Sequence, residues 1–176
     1  MHTTLKKKSI SFLRLFISIL LTCFFITAYT QTKQSNKATQ KTEQALVNYL
    51  NKLYSDYTVN EMPVELGTVQ KPFYIRQQTL YITRRIPESE TTVSIVQYKM
   101  PIAEIADVFF DYYIGLQGIN EASVLTETSN AADDPFPKQG NQMLLHVAAV
   151  GDGTAGYDIQ TKLRSLVKAL QQSYKQ

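Results

Sequence analysis

Gly151, Gly153 and Gly156 in the stretch "GDGTAG" repeat the spacing G-x-G-x-x-G. In a dinucleotide site such glycines let the backbone close on a pyrophosphate at a helix N-terminus. That use also needs a second parallel strand and an acidic partner for the ribose further along. Only 20 residues follow Gly156, all with helical spacing, so the stretch reads as a strand-to-helix turn and implies no cofactor. Glu104, Asp107 and Asp111 would share one face of a helix and could offer oxygen ligands to Ca²⁺ or Mg²⁺. The sequence turns strand-like after Val108, which moves Asp111 away, so a solvated polar face is expected there and no metal.

His146 is the only histidine beyond residue 30. Acid–base work through histidine needs an orienting acid and usually a nucleophile beside it, and His146 lies mid-strand between Leu145 and Val147 with neither marked by spacing. The single cysteine, Cys23, lies in the leader described below, which removes thiolate chemistry and the usual zinc ligand sets from the rest of the chain. No catalytic residue is therefore assigned. What remains is contact chemistry. Phe136 stands between Pro135 and Pro137 in the long loop "NAADDPFPKQGN", after Asp133 and Asp134. A proline-flanked aromatic loses little entropy on docking, although it can equally fold back on a sheet. Ten tyrosines follow residue 30, with Tyr74, Tyr81, Tyr98, Tyr112 and Tyr113 on or near strand-like runs. Tyrosine there serves either an amphipathic contact surface or the rim of a core. The candidate contact surface is Phe136, Tyr81 and Tyr98.

These residues must be held by elements whose signals are clear at both ends of the chain. Leu46, Tyr49, Leu50, Leu53 and Tyr57 recur at steps of three and four from Thr42, predicting an amphipathic helix with Asn48, Asn51 and Lys52 outward. Ile159, Leu163, Leu166, Val167, Leu170 and Tyr174 predict a second one, with Asp158 as N-cap and Lys162, Arg164 and Lys168 outward. Between them "PFYIRQQ", "TLYITRR", "TTVSIVQYK", "SVLTET" and "QMLLHVAAV" are short β-branched and aromatic runs separated by turn residues. The last is apolar on both faces and suits a central strand. In residues 101–116 a helical turn after Pro101 is expected to give way to one strand from Val108. The fold class is α+β: a signal helix, an amphipathic helix, an antiparallel sheet of about five to six strands, and a C-terminal amphipathic helix. In element order the strands and closing helix are similar to pleckstrin-homology-like domains, an analogy of order alone.

The N-terminus decides the bulk numbers. Lys6, Lys7 and Lys8 precede an apolar run from about Leu15 to Ile26 and a polar exit through Thr27, Ala28, Tyr29 and Thr30, the layout of a secretory signal peptide. Residues 1–30 are expected to be removed by cleavage after Thr30, leaving Gln31 first; residues 31–41 form a flexible lead-in and 42–176 one α+β domain. The small-to-Gln junction resembles export signals of the Bacteroidetes group of Gram-negative bacteria, which implies periplasm, outer-membrane surface or medium. The alternatives are an uncleaved anchor through residues 9–29 or a lipid on Cys23. Arg14 shortens the clean apolar run to well below the ~20 residues of a span. Of 18 Lys+Arg and 15 Asp+Glu, four bases and no acids lie in residues 1–30. The exported chain thus carries 14 bases against 15 acids, and the apparent basicity gives no case for a nucleic acid partner. The expected function is a small exported non-catalytic domain, a binding or structural module of the bacterial envelope or extracellular space, engaging a protein, peptide or glycan. The alternatives are a carboxylate-based hydrolase acting on glycans, which needs two carboxyl groups about 5 to 9 Å apart, and a membrane-tethered accessory subunit. Membrane contact is expected only through the N-terminal segment, if uncleaved.

Overall fold

The computed structural model describes residues 37–57, 67–111, 113–128, 138–145 and 153–176. The expected signal peptide, most of the expected lead-in, Phe136, His146, Asp133 and Asp134 lie outside the described residues. Among those described, the order is α1 (Lys37–Tyr57), β1 (Thr68–Arg76), β2 (Thr79–Pro87), β3 (Val93–Pro101), a 3-10 turn (Ile102–Glu104), β4 (Ile105–Asp111), β5 (Tyr113–Gly118), β6 (Val124–Thr128), β7 (Lys138–Gly140), β8 (Gln142–Leu144) and α2 (Gly153–Ser173). The α+β class holds. The strands form two antiparallel sheets, a five-stranded one ordered β1-β2-β3-β6-β7 and a three-stranded one ordered β4-β5-β8.

The split follows from two interruptions. Pro101 has no N–H for the ladder, and the 3-10 turn after it carries the chain from β3 to β4 in the other sheet. At the other crossing, Asn141 separates β7 from β8, and its carbonyl accepts from the Gly118 N–H at 2.6 Å. The period-two run after Val108 is not one strand. Ile105–Asp111 and Tyr113–Gly118 pair as a hairpin with Asp111 opposite Tyr113, because alternation continues through a reversal and periodicity alone does not mark the turn. Of the expected central strand at residues 142–150, the described part is β8, Gln142–Leu144, which pairs with β5 at the margin of the described short sheet, and residues 146–150 lie outside the described residues.

Alternation in β2 and β3 sends Leu80, Ile82 and Arg84 with Ser94, Val96, Tyr98 and Met100 to one face. That face meets Leu46, Leu50 and Leu53 of α1 and Leu163, Val167 and Leu170 of α2 in one apolar cluster, which also holds Val108, Ile114 and Leu116 from the short sheet. Burying a leucine of this kind contributes about 1.5–3 kcal/mol. Truncating Leu163, fully buried at the helix–sheet contact, would cost about 2–5 kcal/mol once the cavity is included.

Three helix features depart from their periodic reading. Helix α1 begins at Lys37, so the last residues of the expected lead-in are helical. Thr39 is buried there, its hydroxyl reaching the Ser173 carbonyl at 3.4 Å. Asp158 lies inside α2, which starts at Gly153. Asn51 and Arg164 are not idle outward residues. The Asn51 amide donates to the Phe73 carbonyl at 3.0 Å and accepts from the Phe73 N–H at 2.9 Å. It thereby supplies both hydrogen bonds where β1 bulges between Lys71 and Tyr74. Helix α2 does the same for β4: Gln171 donates to the Ile102 and Ile105 carbonyls, Gln160 and Arg164 to that of Val108, at 2.7–3.0 Å.

Candidate functional site

With both helices on the core side, the other face of the five-stranded sheet is built by register. Tyr74, Tyr81, Lys99, Leu125 and Gln139 line up across the strands, next to a second row of Lys71, Thr83, Gln97 and Glu127, and a third of Thr68, Arg85 and Ile95. Tyr74 and Tyr81 stack across β1 and β2 with ring centroids 5.0 Å apart and planes 8° from parallel, an arrangement that stabilises the pairing beyond area burial. Beside them lies an open depression of about 410 Å³ lined by Gln70, Lys71, Thr83, Ile95, Gln97, Glu127 and Thr128, within the size range of small-ligand sites. The Gln97 amide points its N–H groups at the Thr83 hydroxyl, 3.3 Å away, and at the Tyr74 phenol, 3.5 Å away. Such long bonds hold the amide loosely, so a better-placed acceptor can displace either partner. Lys99 pairs with Glu127, the single carboxylate of the lining.

Tyr81 belongs to this face, but Tyr98 does not. Tyr98 stands opposite Ile82 on the core side, is packed against the apolar cluster and interacts with the Arg84 guanidinium. The structure therefore does not join Tyr81 and Tyr98 into one contact surface, because residues at odd and even positions of two adjacent strands point to opposite sides. The residues that do stand with Tyr81 are Tyr74, Thr83, Gln97 and Lys71. Period-two reading of "TLYITRR" already pairs Tyr81 with Thr83. What it lacked was the register of β1, whose bulge brings Tyr74 and Lys71 into line.

Three other groupings were weighed for chemistry. Arg84 is 1% exposed on the core face; its Nη2 reaches the Gly67 carbonyl at 3.4 Å and its Nε has no acceptor among the described residues. Burial pushes its pKa below the usual guanidinium value, while Tyr98 works the other way. Asp107 forms a two-pronged pair with Arg164 at 2.5 and 2.9 Å, and this hydrogen bonding holds its carboxyl below the ordinary range. Asp107 and Asp111 stand four strand positions apart, roughly 13 Å, and no cluster of three metal-ligating side chains exists among the described residues. Finally, the last glycine of "GDGTAG" is explained by packing. Gly156 is buried inside α2 with the Phe110 ring against it, and a Cβ there would lie 2.1 Å from that ring.

Known protein families, characterised proteins and solved structures contain no match to this chain.

Proposed function

We propose that this chain is an exported, non-catalytic binding module whose working surface is the outer face of the five-stranded sheet, and that its ligand is rich in hydroxyl groups, as a glycan is. The observation that carries this reading is the depression over β1, β2, β3 and β6, where Lys71, Thr83 and Gln97 line up across paired strands beside the Tyr74–Tyr81 stack, with Gln70 and Thr128 at its rim. Amides and hydroxyls on paired strands bind polar ligands by matched donors and acceptors with little reorganisation. The same lining offers one carboxylate, already paired with Lys99, whereas glycoside hydrolysis calls for two across a cleft. The leader layout of residues 1–30 supports the export part of this reading, to the envelope or outside the cell.

Amide-shift mapping of the isotope-labelled chain against a panel of soluble oligosaccharides tests this reading. The expected shifts fall in residues 70–74, 81–85, 95–99 and 125–128. Shifts confined to the β4–β5 hairpin or to α2 would refute it, and release of shorter saccharides during the titration would refute the non-catalytic part.

A further inference from the structure

The outer face is charged as well as polar, and its charge is one-sided. By register it carries Lys71, Arg76, Arg85 and Lys99 against the single acid Glu127. Lys99 is engaged by Glu127, while Lys71, Arg76 and Arg85 have no side-chain hydrogen bond or ion pair among the described residues. Other described acids lie off the strand positions of this face: Glu88 and Glu90 in the β2–β3 connection, Glu104, Asp107 and Asp111 after β3, and Glu121 in the turn after β5. Among the described strand positions of this face the excess is three cations, a local concentration of positive charge. Cations held without partners raise the local concentration of anionic ligands.

Resting on the reading above, we propose that the face takes an anionic saccharide, with Lys71 and Arg85 meeting its acidic groups while Thr83 and Gln97 bind its hydroxyls. Other polyanions fit the geometry less well. A peptide adding as a strand needs open main-chain groups, and on β1 those of Phe73 are taken by Asn51. A lipid surface needs protruding apolar side chains. Among the described residues, the exposed large hydrophobic ones, Tyr113, Ile119 and Tyr157, are all on other elements. A single nucleic acid strand stacks its bases on separate aromatic platforms, whereas Tyr74 and Tyr81 face each other.

The test is titration calorimetry of the whole exported chain with a short oligogalacturonate, a neutral oligoglucan of equal length, a polyglutamate peptide, a short single-stranded DNA and vesicles containing anionic lipid. Lys71→Gln and Arg85→Gln are the informative variants, both at exposed positions, with Lys168→Gln on the exposed side of α2 as control and circular dichroism confirming the fold of each. The oligogalacturonate is expected to bind, to weaken on adding salt, and to weaken about tenfold in each informative variant but not in the control. Equal binding of the neutral oligoglucan, insensitive to Lys71→Gln, would overturn the anionic part while leaving the face as the glycan site. Equal or tighter binding of polyglutamate, DNA or vesicles would overturn the saccharide part. Binding by none of the probes would overturn the inference, and shift mapping outside the sheet face would sink both this inference and the reading beneath it.

Discussion

Replacing Gln77 and Gln78 by Asn and Gly should make the protein more stable, although it shortens one side chain and removes the other. These residues are the two-residue connection between β1 and β2, flanked by the Arg76–Thr79 pair, and both have positive φ, 50° and 61°. A two-residue hairpin favours this left-handed geometry because it matches the twist of the strands, yet a side chain with a Cβ loses about 1–2 kcal/mol in it. Gln78→Gly removes that cost and adds about 0.5–1 kcal/mol of unfolded-chain entropy; Gln77→Asn exchanges one strained residue for the type that tolerates the region best. The backbone contact that anchors the turn, Ile102 N–H to the Gln78 carbonyl at 2.9 Å, is independent of either side chain and survives. The net gain is about 1 kcal/mol, seen in urea as a midpoint shift of roughly 0.5 M for a slope near 2 kcal/mol/M, or about 3 °C in Tm. Circular dichroism of the double variant decides the matter. An unchanged or lower midpoint at constant slope would show that the glutamine side chains contribute more than the backbone strain costs.

The other perturbations are simpler. Gly156→Ala gains about 1 kcal/mol of helix propensity but drives a methyl group to 2.1 Å from the Phe110 ring. Overpacking of this kind costs about 1–3 kcal/mol, so a net loss is expected in urea denaturation, partly recovered by adding Phe110→Leu; a net gain would mean the ring moves freely. Asn51→Ala strands the Phe73 N–H and carbonyl and should cost about 1–3 kcal/mol, with hydrogen exchange at the Phe73 amide accelerated before that of α1; unchanged exchange there would deny the bracing role. Tyr174 donates to Glu43 at 2.6 Å, and burial first, then that bond, hold its phenol well above its usual value. Since the folded form keeps this proton longer than the unfolded form, the contribution is complete below about pH 10 and is lost as pH rises beyond it. Tyr174→Phe should lower stability near neutrality by about 1 kcal/mol and flatten the alkaline limb of a stability–pH curve; parallel limbs for the two proteins would contradict this.

Both amphipathic helices were legible because Leu46, Leu50 and Leu53, and Ile159, Leu163, Val167 and Leu170, bury at the spacing they repeat in the chain. Strands β2 and β3 were legible for the same reason at a period of two. What escaped was information that depends on partners distant in sequence. The reversal between Asp111 and Tyr113 leaves alternation unbroken, and the division into two sheets depends on how Pro101 and Asn141 redirect hydrogen bonding. Arg84 shares the parity of Leu80 and Ile82, so its inward direction was present in the pattern, but a charge near the end of a strand ordinarily reaches water. Of the candidate contact residues, Tyr81 stands on the outer face and Tyr98 on the core face. Lys71 and Gln97 gained significance only through cross-strand register.

Asn51, Gln160, Arg164 and Gln171 have a joint effect on how the molecule behaves in a crowd. Each is a helical side chain spent on main-chain groups of an outermost strand. Exposed rows of such groups are the template on which identical chains stack into fibres. By occupying those of β1 at Phe73 and of β4 at Ile105 and Val108, the two helices act as guards against self-propagation at high concentration, and fraying of either helix would expose the sticky margin it covers.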